Sequence, residues 1–262
     1  MNTLTEALGL RGGIVAAIGA GGKKSVMNQL ASEATGRLAW TGTVFTARPP
    51  RWTGVDVHVG EEDELLALAT ARPSAQRQAF LRPSEKPGRY GGLAPDTITR
   101  LHEIGGFELT LVKADGARMR GLKCPKPGEP VLPTHTDWVL LVVSAQVIGQ
   151  PLDPEFVHRP ERVAAVLGIE LGQTLTPAHL AKILTHPEGL QAGTEGRAIL
   201  PIINQVDDAQ RRELAEQAAR QALALSDRFD RVVLSCLHRQ SSAAAVVTVV
   251  ERRITVQPGP LE

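Results

Sequence analysis

The sequence predicts an α/β fold of three layers, with helices on both faces of a mostly parallel sheet. Three observations predict it. Short apolar runs bounded by glycine or proline recur along the chain, they alternate with stretches of helical periodicity, and one run ends in Gly19-Ala20-Gly21-Gly22 directly before a helix.

Ile14 to Ile18 is apolar throughout, entered from Gly12-Gly13 and left through glycines, the pattern of a strand buried on both faces. Lys24 to Ala34 reads as the helix that follows. Val55 to Val59 alternates as a strand does, and Glu61 to Ala69 is helical. Arg72 to Pro95 is rich in proline, glycine and charge, so it is expected to be a surface excursion. Leu109 to Val112 and Trp138 to Val143 read as two more buried strands. The Pro-rich segment between them, Cys124 to Pro133, excludes regular structure.

Pro160 and Pro177 stand where first helical turns begin, and Gly168 where the first of those helices stops, which places a small helical insert at about 154–190. Ile199 to Ile203 is a further strand. Asp207-Asp208-Ala209-Gln210 offers a capping box to a helix with Leu214, Ala218, Ala222 and Leu225 on one face. Arg231 to Leu234 and Ala245 to Val250 close the chain as strands, and the βαβ alternation argues one domain over residues 1–262.

Composition narrows the partners. Hydrophobic residues make up 42% of 262, ample for a continuous core, and 29 Lys and Arg face 28 Asp and Glu. With that balance no long-range field favours nucleic acid or an anionic membrane, so any anion site has to be local. Aromatic residues are 3% of the chain, which argues against base-stacking platforms for single strands. The two cysteines, Cys124 and Cys236, have no metal-type spacing and suit a reducing compartment. Residues 1–12 lack a signal-peptide pattern and no apolar run approaches a membrane span, so the expected location is cytoplasmic. His58, His102, His135, His179, His186 and His238 are scattered without ligand spacing, and no zinc site is expected.

Gly19-Ala20-Gly21-Gly22-Lys23 carries the chemistry. A strand that runs through glycines into a helix turns main-chain N–H groups toward one point, where the helix dipole adds positive potential. Glycine supplies φ > 0 and lets an anion approach, and Lys23 is expected to be a mobile cation on the phosphate. The arrangement is P-loop NTPase-like and is expected to bind GTP or ATP, although the usual pattern would want glycine where Ala17 stands and such a turn can also serve packing alone. The usual hydroxyl position holds Lys24, with Ser25 one residue later. Leu109 to Lys113 delivers Asp115 at the end of a strand, where with Ser25 it could hold Mg²⁺. Asn204-Gln205-Val206-Asp207 is similar to the base-reading element of GTP-binding proteins, although Asp207 could equally cap the next helix.

The ordered set Gly19-Ala20-Gly21-Gly22-Lys23, Thr41-Gly42-Thr43, Gly92-Leu93-Ala94-Pro95, Ala114-Asp115-Gly116-Ala117, Leu122-Lys123-Cys124-Pro125, His158-Arg159-Pro160-Glu161 and Asn204-Gln205-Val206-Asp207 resembles the YqeC family of selenium-dependent hydroxylase accessory proteins. The resemblance runs from about residue 10 to residue 237. It implies a P-loop NTPase-like protein that serves the maturation of molybdenum hydroxylases, with the hydroxylase or its maturation proteins as partners. By the same resemblance Gly19 to Lys23 form the phosphate loop, Lys23 and Asp115 are catalytic, Thr41 and Thr43 follow the second strand, and His158 and Arg159 join the phosphate or switch contacts. Lys24 and Lys113 depart from the family pattern, replacing a Thr or Ser and a Glu. An ammonium with a reference pKa of about 10.4 has no lone pair for Mg²⁺, so these lysines would instead neutralise phosphate charge themselves. Two readings follow: an accessory protein that binds and slowly hydrolyses NTP, and a non-catalytic scaffold that has lost the Mg²⁺ site. A small-molecule kinase or nucleotidyl transferase ranks last, since no acceptor-site base is evident. Cys124, between Lys123 and Lys126, is read as incidental, although cations so close would favour a thiolate able to carry sulfur or selenium.

Overall fold

A computed structural model of the chain describes residues 3–71, 74–237 and 246–252. In chain order the elements are α1 (Leu4–Leu8), β1 (Gly13–Gly19), α2 (Lys23–Glu33), β2 (Leu38–Gly42), β3 (Asp56–Val59), α3 (Glu62–Thr70), β4 (Arg77–Leu81), α4 (Pro95–Gly105), β5 (Leu109–Lys113), β6 (Leu122–Lys123), β7 (Trp138–Ser144), β8 (Val157–His158), α5 (Pro160–Leu167), α6 (Pro177–Thr185), β9 (Ala198–Asn204), α7 (Ala209–Leu225), β10 (Arg231–Cys236) and β11 (Val246–Glu251). Ala245, expected in the last strand, lies outside the described residues, as do Arg72 at the start of the expected excursion and His238.

Nine strands form one sheet in the order β11-β10-β9-β7-β1-β5-β2-β4-β3. Every neighbouring pair is parallel except β10 and β11, which run antiparallel at one edge. The alternation of β1 explains the layers. Ile14, Ala16 and Ile18 join a core with residues of α3, α4, α5, α6 and α7, whereas Val15 and Ala17 face a second core with α1 and α2. The three-layer, mostly parallel α/β fold is thus present. No helix among the described residues is long and apolar enough to cross a membrane.

β1 lies between β5 and β7, so the chain leaves it in one direction for β2 and later crosses to the other side for β7 and β9. That is a topological switch point, and the crevice outside the carboxyl ends of such strands is where α/β sheets bind ligands. Gly19 ends β1 there, opposite Val142 of β7, which itself ends at Ser144.

Several expectations need correction. Arg72 to Pro95 is not wholly a surface excursion: Arg77–Leu81 is an inner strand between β2 and β3, with Ala79, Phe80 and Leu81 fully buried. Its polar start is compatible with burial because Arg77 donates to the carbonyls of Thr53 and Ala34, and Gln78 to that of Ala75. Pro95 is not the end of a loop but the first residue of α4, whose Ile98 and Leu101 are buried and whose stop is Gly106 in the left-handed region. The N-cap of α7 is Asp208, accepting from the Arg211 N–H, and not Asp207. Its inward face is Ala215, Ala218, Ala219, Ala222 and Leu223, while Leu225 is 63% exposed. In the expected helical insert, α5 and α6 begin at Pro160 and Pro177, and α6 packs along α7 within the helical layer.

Candidate functional site

The glycine turn has backbone dihedrals that only glycine adopts at low cost, with φ of 91° at Gly19, 80° at Gly21 and 113° at Gly22. Packing imposes the same choice. A Cβ on Gly19 would stand 2.2 Å from the Val142 carbonyl oxygen, and one on Gly21 would stand 2.5 Å from the Ser144 nitrogen. Gly21→Ala is therefore expected to destabilise the fold by at least ~2 kcal/mol, since the left-handed conformation and a main-chain clash add. A thermal melt that does not move would contradict this account of the turn.

The amides of the turn do not all converge on a ligand, as the sequence suggested. Gly19 N–H donates to Asp115 Oδ2 at 2.8 Å, Ala20 N–H to the Val142 carbonyl at 2.8 Å, and Gly21 N–H to the Arg120 carbonyl at 3.0 Å. These bonds fix the turn against β7 and the loop after β5. The helix begins beyond Gly22, the N-cap of α2, which has no side chain to cap the first-turn amides.

Lys23 is not a mobile cation. It is 6% exposed, donates to the Gly19 carbonyl and lies 2.8 Å from Asp115 Oδ1. Asp115 is fully buried, and its Oδ2 also lies 2.9 Å from Lys123, itself fully buried. Lys123 continues to Glu129 Oε2 at 2.8 Å and to the Gly116 carbonyl at 2.9 Å, and Arg159 grips Glu129 bidentately at 2.8 and 2.9 Å. A chain of five alternating charges thus runs from the glycine turn to the start of α5. Burial lowers the Lys23 pKa, with Asp115 opposing. Burial alone would raise Glu129, but the hydrogen bonds from Arg159 and Lys123 win and hold its carboxyl at about 2.

Directly outside the first turn of α2 lies a cavity of about 590 Å³, walled by Gly21, Gly22 and Ser25 and by the loops after β2, β4, β5, β7 and β9. Seven of its lining residues are cationic, Lys23, Lys24, Lys86, Arg89, Lys113, Arg118 and Arg120, against one carboxylate, Glu155. In a chain of net charge +1 this is a strong local asymmetry. Lys113 donates to the Phe45 carbonyl at 2.7 Å, and its pKa falls to about 8, first through burial and then through Lys23. Burial and Arg89 lower the Lys24 pKa as well. Arg118, Met119 and Gln205, three of the four non-glycine residues with positive φ among the described residues, line this cavity.

Of the residues singled out in the sequence, Gly21, Gly22, Lys23, Lys24, Ser25 and Lys113 share the cavity, while Gly19 and Ala20 brace it from behind. Asn204 is buried and holds the turn, donating to the Gly21 carbonyl at 2.9 Å and accepting from Ser235. Asp207 accepts from Gln146 at 2.7 Å. Thr41 lies inside β2, not after it, and donates to the Phe80 carbonyl, while Thr43 donates to that of Val131. His158 and Arg159 stand in an adjoining recess. Arg89, Arg118 and Arg120 stood out by no motif in the sequence, and Lys123 only as a family-motif residue and a cation beside Cys124. The clustering of Arg118 and Arg120 just after Asp115 was the one available signal for two of them. Cys124 is fully buried and its thiol is pushed up to about 12 by burial, opposite to what its lysine neighbours suggested.

Asp115 and Ser25 do not fit Mg²⁺ as they stand. Asp115 Oδ2 is engaged by an amide and an ammonium, and Oδ1 faces Lys23 at ion-pair distance without an aligned hydrogen bond. A metal ion at about 2.1 Å from Oδ1 would have to displace that ammonium. Among the described residues no group of three His, Cys, Asp or Glu side chains is placed to hold a metal.

A sequence model of the family described as YqeC protein matches residues 15–161. The chain is 28% identical over 180 residues to the uncharacterized protein YqeC of Escherichia coli K12, a span of 67% of this chain and 69% of that one. No solved structure matches.

Proposed function

The chain belongs to the YqeC protein family, and on that footing we propose that it is a nucleotide-binding accessory protein whose polyphosphate site is the cavity at the N-terminus of α2. One observation carries the reading: six cationic side chains other than the ion-paired Lys23, and an uncapped helix start, surround a cavity at the switch point of a parallel sheet, in a chain otherwise balanced in charge. ATP or GTP supplies the matching negative charge. Lys24, Lys113 and Arg89 would neutralise the phosphates in place of a metal ion. The client role, maturation of selenium-dependent molybdenum hydroxylases, rests on the family resemblance.

Asp115 favours binding without turnover over slow hydrolysis. A carboxylate that is fully buried and ion-paired to Lys23 and Lys123 can neither orient a water in the cavity nor take its proton. Calorimetric titration of ATP, GTP and tripolyphosphate, in Mg²⁺ and again in excess EDTA, tests both statements. Binding is expected to persist in EDTA with no phosphate released. Binding that vanishes in EDTA would overturn the metal-free reading, and steady phosphate release would restore the hydrolase.

A further inference from the structure

A second recess of about 390 Å³ opens beside the cavity, and Arg118 and Arg120 line both. His158, Arg159, Pro154 and Glu161 are among its other walls. The guanidinium of Arg118 is exposed and makes no hydrogen bond or ion pair among the described residues. Arg120 commits its Nε to the Pro154 carbonyl at 2.6 Å, which leaves its two terminal nitrogens for a ligand, while its own carbonyl accepts from Gly21. The arginine arch is therefore tied by one hydrogen bond to the phosphate turn and by another to the wall of the recess.

The backbone is set at a cost to place these groups. Arg118 and Met119 have φ of 44° and 62°, and Arg159 has 60°, all in the left-handed region that side chains with a Cβ disfavour. Such outliers persist where the surroundings impose them, often at ligand sites. Arg159 is already paired with Glu129, so the cations left to a ligand in the recess are Arg118 and Arg120, with Glu161 the one carboxylate on its wall. His158 is held neutral, its pKa lowered to about 4 by burial and by Arg159, so it can donate one hydrogen bond without adding charge.

We infer that the cavity and the recess are one binding groove, and that its ligand is a nucleotide with two separate phosphoryl groups: a polyphosphate at the start of α2, and a second phosphate on Arg118 and Arg120 beside His158. This rests on the nucleotide-binding reading and names the ligand class. A single run of phosphates would leave the far side of the arch unpaired, whereas a phosphate on the distal part of the nucleotide meets it.

The test compares ligand pairs that differ by one ribose phosphate, coenzyme A with dephospho-coenzyme A and NADP with NAD, by calorimetry. In the wild-type chain the extra phosphate should tighten binding at least about tenfold at one ligand per chain. Arg118→Ala, at an exposed position without partners, should bring that ratio close to one, and Arg120→Ala should do the same. Arg89→Ala, on the cavity side alone, should weaken both members of each pair by a similar factor and preserve the ratio. A wild-type ratio near one, with both members binding, overturns the inference. So does an Arg118→Ala chain that weakens both members equally, or tripolyphosphate binding as tightly as the better member of each pair. If ATP, GTP and all four probes fail to bind, the nucleotide reading itself is lost, and this one with it.

Discussion

Asp115→Ala is expected to lower stability by about 3–5 kcal/mol, because it leaves the buried Lys23 ammonium without a counter-charge and Lys123 with Glu129 alone. Lys23 and Lys123 sit on either side of that carboxylate, 6% and 0% exposed, and no other carboxylate lies within ion-pair distance of Lys23 among the described residues. The Gly19 amide would lose its acceptor in the same substitution, loosening the glycine turn. For a domain of this size the midpoint of thermal unfolding should drop by about 10 °C or more. Adding Lys23→Met to Asp115→Ala removes the stranded charge and should recover part of the loss, a non-additive result that a merely local cavity would not give. If Asp115→Ala melts within a degree or two of wild type, the charge chain has no structural role.

The sequence makes the sheet legible and the charge chain illegible, for physical reasons. Ile14 to Ile18 announces itself because a strand covered on both faces is apolar at every position, and Pro160 and Pro177 announce helix starts because proline loses nothing at a first turn. Arg77–Leu81 escapes because its Arg and Gln look like surface until their carbonyl acceptors, set by distant segments, are known. The same reason hides the role of Lys23. Its nearness in sequence to the glycines points to a phosphate, yet Asp115 arrives from β5 and brings Lys123 with it, and those contacts exist only after the strands pair. The cavity is a similar case. Lys24, Arg89, Lys113 and Arg120 come from four segments, each unremarkable in a chain of balanced charge, and only the strand order makes them neighbours. What the glycines of the Gly-Gly-Lys turn did convey was its conformation, since residues with a Cβ do not fit those dihedrals at low cost.

Reversing the charge at Lys24 and Lys113 together should weaken polyphosphate binding by more than about a hundredfold, close to 2.7 kcal/mol, since each change removes a cation and adds a repulsive carboxylate. Both groups lie at the cavity wall, partly exposed, so the doubly substituted chain should melt near the wild-type temperature; that separates lost binding from lost fold. Lys113 also gives the site a pH signature. Its pKa in the free protein is held at about 8, and a polyanion beside it would raise that value, so binding takes up a proton wherever the free lysine is neutral and the bound one charged. Below pH 8 the lysine is charged in both states and contributes no slope. Above pH 8 the affinity should fall, by up to about tenfold per pH unit for one proton, until the pKa of the complex is reached. Arginine keeps its charge throughout this range, so Lys113→Arg should bind and lose most of that decline. A wild-type affinity that is flat from pH 7 to 10, or one that rises, would place the phosphates away from Lys113.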